Sequence, residues 1–204
     1  VGSGNGGLTA ALCSFEMGSP DVLVVEKSHL YGGTSSISGG GVWIPCNRYA
    51  RAAGAKDSIA AAKTYLRQLI SEEEVPEYQL DAYLENGPKM VEFLHQHTRS
   101  RYVSLAHYPD YYTNLEGAMV GHRSMEPETF EADQLGEDWR YLRRTHPMMH
   151  LAGVIGITQQ EAALLIGQQP GWWKLALKLV AAYVVDIPWR LRDRFHRRLA
   201  TGCA

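Results

Sequence analysis

The chain has 204 residues, 45% of them hydrophobic, and a formal charge of -2. That length and apolar content suffice for a buried core in one or two globular domains, and the near-neutral balance excludes the basic footprint of a nucleic-acid binder. Cys13, Cys46 and Cys203 are too few and too widely spaced for a disulfide framework or a zinc pattern, so a reducing, cytoplasmic setting is expected.

The first seven residues, Val1-Gly2-Ser3-Gly4-Asn5-Gly6-Gly7, put Gly2, Gly4 and Gly7 on a G-x-G-x-x-G spacing and open into the apolar run Leu8-Thr9-Ala10-Ala11-Leu12. In a βαβ nucleotide site the three glycines serve a tight turn, close approach to a pyrophosphate, and packing of helix on strand. The helix start then offers N–H groups to the anion. Alone, the pattern is equally that of a flexible turn. Asp21-Val22-Leu23-Val24-Val25-Glu26 reads as a strand ending in a carboxylate, at the distance of about 20 residues where such folds bind an adenosine ribose. A helix from Gly7 to about Met17 joins the two. A turn of this kind follows a strand of roughly five residues, yet only Val1 precedes Gly2. Nor do later segments supply the other strands of an open parallel sheet. The expectation is the N-terminal portion of a longer protein, truncated at both ends.

A second small-residue stretch, Gly32-Gly33-Thr34-Ser35-Ser36-Ile37-Ser38-Gly39-Gly40-Gly41, leads into Val42-Trp43-Ile44-Pro45. Its reading is either a surface linker or a backbone-and-hydroxyl wall against a flat or charged ligand. The abrupt apolar anchor that follows favours the wall. Taken together, the glycine turn, the Val-Leu-Val-Val-Glu-Lys strand and this stretch resemble the N-terminus of the fumarate reductase-like flavoproteins, and among them most closely the 3-ketosteroid Δ1-dehydrogenases. The resemblance implies an α/β, Rossmann-like FAD-binding domain. It implies Gly2, Gly4 and Gly7 at the FAD pyrophosphate and Glu26 at the adenosine ribose. It further implies that Gly33, Thr34, Ser35, Ser38, Gly39, Gly40 and Gly41 line the rest of the cofactor.

From Ala55 the spacing of Ile59, Ala62, Tyr65, Leu66 and Leu69 predicts a helix. Glu72-Glu73-Glu74 interrupts it and reads as a solvated helix start rather than a metal site. Pro76 begins a second helix, with Leu80, Tyr83, Leu84, Met90, Val91 and Leu94 on one face and a kink at Gly87-Pro88. Tyr108-Pro109-Asp110-Tyr111-Tyr112 is on its own terms an aromatic cluster that packs, or a set of coupled phenols able to act in proton transfer. The resemblance implies the second, with Tyr112 entering the active site. Gly117 and Gly121-His122-Arg123-Ser124-Met125-Glu126-Pro127 match the same family, although His122 stands for its usual Gly and Thr113 for its usual Pro. His146 and His150 lie four apart, but Pro147 spoils the helix that would pair them, so loop histidines are expected and no metal.

Leu151 to Ile157 reads as a short strand or extended segment, and Thr158-Gln159-Gln160-Glu161 as a capping box. Trp172 to Val185 is apolar apart from Lys174 and Lys178, too short for a bilayer span of about 20 residues. Arg190, Arg192, Arg194, Arg197 and Arg198 follow Pro188-Trp189. Two readings stand: a buried helix with a solvated basic continuation, which the pattern favours, or weak attachment to a membrane surface.

The expected architecture is a βαβ start and FAD loop over 1–45, a largely helical excursion over 46–198 with an active-site segment at 108–127, and a return to the FAD domain at 199–204. The resemblance implies a parent enzyme, an FAD-dependent dehydrogenase that desaturates C1–C2 of a lipophilic 3-ketosteroid and passes electrons to a further acceptor. In it a tyrosine outside this chain takes the C2 proton as hydride leaves C1. A Δ4-dehydrogenase or a fumarate reductase-type alkene reductase remains open, as does an inactive partial module for residues 1–204 alone.

Overall fold

The computed structural model describes residues Val1–Ala204. They divide into two units, Val1–Gly40 with Thr129–Ala204, and Gly41–Glu128.

In the first unit the glycine turn leads directly into α1 (Asn5–Glu16). Asp21–Glu26 runs without a ladder and so is no strand, contrary to expectation; its one backbone–backbone bond to the turn is Gly2 N–H to Val25 O at 2.7 Å. An apolar, β-branched run becomes a strand only when neighbours supply hydrogen bonds on its edges. The small residues after Gly32 close into the short helix α2 (Gly33–Ile37).

The second unit begins with β1 (Val42–Trp43), α3 (Arg48–Ala52) and α4 (Ile59–Arg67). Asn47 and Ser58 start the two helices by accepting N–H bonds from Ala50 and Ala61. The Glu72–Glu74 triplet lies in a turn, where Ser71 and Glu74 bond each other reciprocally. α5 (Glu77–His97) then runs uninterrupted through Pro88. β2 (Tyr102–Ser104) and β3 (Ser124–Pro127) complete an antiparallel sheet in the order β1-β3-β2, with Val42 opposite Met125 and Tyr102 opposite Pro127. Ile44, Val91 and Met125 form one buried cluster, and Ala62, Leu80 and Leu84 another.

Back in the first unit, β4 (Phe130–Glu131) precedes a 3-10 stretch, Ala132–Tyr141, that breaks at Gly136. A second 3-10 turn, Pro147–Met149, takes its first N–H bond on His146, so that histidine serves as a cap. β5 (His150–Leu151) and β6 (Ile155–Gly156) make a small hairpin where one segment was expected. α6 (Gln159–Ile166) starts with the predicted capping box, Thr158 and Glu161 bonding each other's backbone. α7 (Trp172–Val185) and α8 (Ile187–Arg190) follow, then β7 (Arg198–Leu199), which pairs with β4. The core here is Ala132, Trp139, Leu142, Trp189 and Leu199, with the Trp139 and Trp189 rings 4.7 Å apart. α7 is not the buried helix that its composition favours, since Leu179 is its one buried residue. No helix is long and apolar enough to cross a membrane.

Candidate functional site

The two glycine-rich stretches, 30 residues apart in sequence, are knitted into one surface of the first unit. The Asn5 N–H donates to Ser35 Oγ at 3.0 Å, and the Gly32 N–H donates to Ser3 Oγ at 3.0 Å. A Cβ on Gly7 would stand 2.0 Å from the Gly2 carbonyl, so only glycine permits this approach of helix to turn. The N–H groups of Gly6 and Gly7, in the first turn of α1, have no carbonyl within the helix to meet. The surface therefore offers backbone donors and a cradle free of side chains, which suits a pyrophosphate-bearing ligand. Ser38 accepts the Gly40 N–H and donates to Ser35 O, holding the second loop closed on itself. Gly39 O accepts from the Gln159 side chain, while Thr34 and Gly41 are exposed.

Glu26 is already engaged. Its Oε2 accepts both the Ser3 hydroxyl at 2.6 Å and the Ser3 N–H at 3.0 Å, and its Oε1 accepts the Ser28 N–H at 3.0 Å. The Ser3 hydroxyl bond above all, then the two backbone bonds, lowers its pKa to about 2. Glu26 is thus ionised and fixed against the turn, with a free lone-pair direction on Oε1 for one more donor such as a sugar hydroxyl. It would repel a phosphate there.

The second unit holds a buried charge cluster of which the sequence named only parts. Arg123 forks onto Asp57, with Nη2 to Oδ1 at 2.7 Å and Nε to Oδ2 at 3.1 Å, and reaches Asp110 Oδ2 at 2.8 Å through Nη1. All three side chains are almost fully buried. The spare lone pairs are filled: Asp110 accepts from Trp43 Nε1 and Met119 N–H, and Asp57 from Cys46 and Ser58 N–H. Burial by itself would raise the Asp57 pKa, but the Arg123 bonds and the backbone donors hold it below the usual range. The guanidinium also lies 5.5 Å from the Trp43 ring and 5.9 Å from Tyr65.

This cluster anchors the segment that carries Tyr112. Its neighbour Asp110 is pinned, and its own N–H donates to the Tyr65 hydroxyl at 3.3 Å. The Tyr112 ring itself is 54% exposed, so it is presented rather than packed. Tyr108 next to it has its phenol pKa raised, first by a bond with Tyr111 and then by burial. His122 sits at φ 73°, a left-handed conformation that favours glycine, and its ring bonds Ser104 Oγ at 3.0 Å. That backbone is the reason a glycine is at home at this position.

The profile of the FAD binding domain family matches residues 1–169. The chain belongs to the FAD binding domain family. Its cofactor is FAD, as the resemblance to flavoproteins implies. The 3-oxosteroid 1-dehydrogenase of Comamonas testosteroni is 36% identical over all of this chain and 35% of its own length. The 4-oxocyclohexanecarboxylate 2-dehydrogenase of Sinomonas cyclohexanicum is 42% identical, over 67% of this chain and 24% of its own. The crystal structure of 3-ketosteroid delta1-dehydrogenase from Sterolibacterium denitrificans, in complex with 1,4-androstadiene-3,17-dione, superposes with a TM-score of 0.92 at 41% identity, covering 99% of this chain and 35% of that one. The chain thus spans about a third of the length of the relatives it matches.

Proposed function

We propose that the intact protein is an FAD-dependent dehydrogenase that introduces the C1–C2 double bond into 3-ketosteroids. The observation that supports this reading is the full-length match of two steroid-named proteins, one aligned over 100% of the chain and one superposed over 99% of it, α6–α8 included; other steroid-named relatives align over 67–76% and the cyclohexane-named ones over 67%. In this reading residues 1–45 and 199–204 belong to a Rossmann-like FAD-binding domain, and 46–198 is an excursion from it that carries the active-site segment 108–127. Gly2, Gly4, Gly7 and the first turn of α1 hold the pyrophosphate, and Glu26 accepts a ribose hydroxyl. Gly33, Thr34, Ser35, Ser38, Gly39, Gly40 and Gly41 line the rest of the cofactor. FAD supplies the two-electron acceptor for the hydride leaving C1, and is reoxidised by a further acceptor. Tyr112 hydrogen-bonds the base, outside residues 1–204, that removes the C2 proton, and the Arg123 cluster positions it.

A second reading is favoured by the Sinomonas relative. The same α,β-desaturation would then act on a monocyclic oxo acid. Incubating the intact protein with an artificial electron acceptor and either a 4-ene-3-ketosteroid, a 5α-3-ketosteroid or 4-oxocyclohexanecarboxylate separates the possibilities. The expected result is turnover of the first, with the new double bond at C1–C2 by mass and magnetic-resonance analysis. Turnover confined to the cyclohexane acid, or a product desaturated at C4–C5, would overturn the steroid Δ1 assignment.

A further inference from the structure

A cleft of about 400 Å³ in the first unit is bounded by β4, α6, α7 and the run His196-Arg197-Arg198, and no residue of the glycine loops lines it. One wall is apolar: Leu175, Leu179, Ala182 and Val185, spaced by four, three and three residues, share one face of α7. The opposite wall carries charge. Arg197 lies among three carboxylates, its Nε 3.0 Å from both Glu131 Oε2 and Asp186 Oδ2 and its Nη1 3.3 Å from Asp133 Oδ2. An arginine Nε bears one hydrogen, so it cannot serve two carboxylate oxygens fully. Asp186 Oδ2 is left buried without a hydrogen bond.

His196 lines the same cleft and is 7% exposed. Its N–H donates to Val154 O at 2.8 Å and the Tyr183 ring stands edge-on to it at 6.0 Å, but its Nδ1 is buried and has no partner. Burial, and then Arg198, holds its pKa below the usual value, so the ring is neutral and Nδ1 accepts when Nε2 carries the proton. Buried polar atoms are nearly always hydrogen-bonded. Two unmet acceptors at one cleft, beside a guanidinium that faces three carboxylates, call for a ligand that brings N–H donors and positive charge. Arg198 does not supply them, because its fork is spent on Glu161 through two bonds of 2.8 Å. Nor does Lys178: it is exposed and stands eight residues before Asp186, about 12 Å along the helix axis, which leaves the Asp186 end negative.

We propose that this cleft binds a small primary amine carried on a short alkyl chain. The ammonium donates to Asp186 Oδ2 and His196 Nδ1, and the methylenes lie along Ala182, Leu179 and Leu175. The site is built from the first unit alone and is independent of the substrate assignment.

The test is isothermal titration of the intact protein with n-pentylamine, and with sodium pentanoate and sodium chloride at equal ionic strength. The amine is expected to give saturable one-site binding that neither salt gives, and to raise the melting temperature by mass action. Asp186→Asn keeps the shape and removes the charge, and should weaken amine binding by about tenfold or more. Ala182→Phe fills the alkyl path with an exposed side chain and should weaken it likewise, so the test stands even where Asp186→Asn fails to fold. The absence of saturable heat with n-pentylamine would overturn the proposal. So would pentanoate binding as tightly as the amine, or either variant, folded, binding the amine like wild type.

Discussion

Tyr112 is held by its backbone and leaves its phenol free, an arrangement that separates a catalytic role from a packing one. Tyr112→Phe in the intact protein removes one oxygen from an exposed ring and should leave the melting temperature unchanged. If the hydroxyl supports a charged base, its loss is worth roughly 1.5 to 3 kcal/mol, so turnover should fall by about one to two orders of magnitude. Unchanged turnover on a 3-ketosteroid would remove Tyr112 from the site. Glu26 gives a different kind of expectation, because its pKa falls from 4.5 to about 2 on folding. The folded state prefers the ionised carboxylate, so the stabilisation it contributes is complete above about pH 4.5 and is lost as pH falls through about 2. Thermal melts of wild type and Glu26→Gln should therefore differ at neutral pH and converge toward pH 2. A constant gap across that window would mean that the Ser3 and Ser28 bonds contribute nothing through charge.

Among elements, the joint between turn and α1 is the most exacting. Gly7→Ala puts a methyl group where a carbonyl oxygen stands 2.0 Å away, so helix and turn must part. Overpacking of this sort costs about 1–3 kcal/mol, and the purified intact variant should lose most of its flavin absorbance. Arg123 joins β3 to the loop before α4 and to the tyrosine segment. Arg123→Ala leaves two buried carboxylates facing each other without a cation and should cost about 3–5 kcal/mol by chemical denaturation. Asp57→Asn should cost less, because Arg123 keeps Asp110. Equal losses would mean that the three groups do not act as a cluster. α4, α5 and the Thr158–Glu161 box were legible because their signals lie within one or two turns of sequence. The glycine turn was legible because its spacing is a steric requirement, a Cβ at Gly7 meeting the Gly2 carbonyl. The Arg123 cluster was not, since its partners come from 66 and 13 residues away and a lone aspartate before Ser58 has an ordinary reading as part of a helix start. Nor does a pattern apolar on every side, as in α7, say which side has a neighbour. The stretch Ala132–Met149 carries no period to read, because it is two 3-10 stretches, Ala132–Tyr141 and Pro147–Met149, joined by extended chain.

At the scale of the molecule, Asp21–Glu26 exposes its apolar side chains, Leu23 at 84%, and its backbone is tied only by the bond from Gly2, with the Glu26 side chain held by Ser3. Residues 1–204 expressed alone should consequently shed FAD on dialysis and aggregate through that unpaired edge. Stoichiometric flavin retained after dialysis would show the cofactor surface to be self-sufficient. The C-terminal turn Thr201–Cys203 bears on the same surface from the far end of the chain. Gly202 passes so near α2 that a Cβ there would meet Ser35 O at 1.9 Å, its N–H donates to Ser38 O, and Cys203 Sγ donates to Ser36 O across 167 residues. Thr145 reaches the same carbonyl across 109. Closing loops of that span is slow relative to local contacts. On a ribosome the contiguous unit Gly41–Glu128 can therefore mature while the glycine loops, made before it, wait for residues made after it. The order of synthesis and the order of folding are opposed at the glycine loops, and any halt in translation before Thr201 leaves them open.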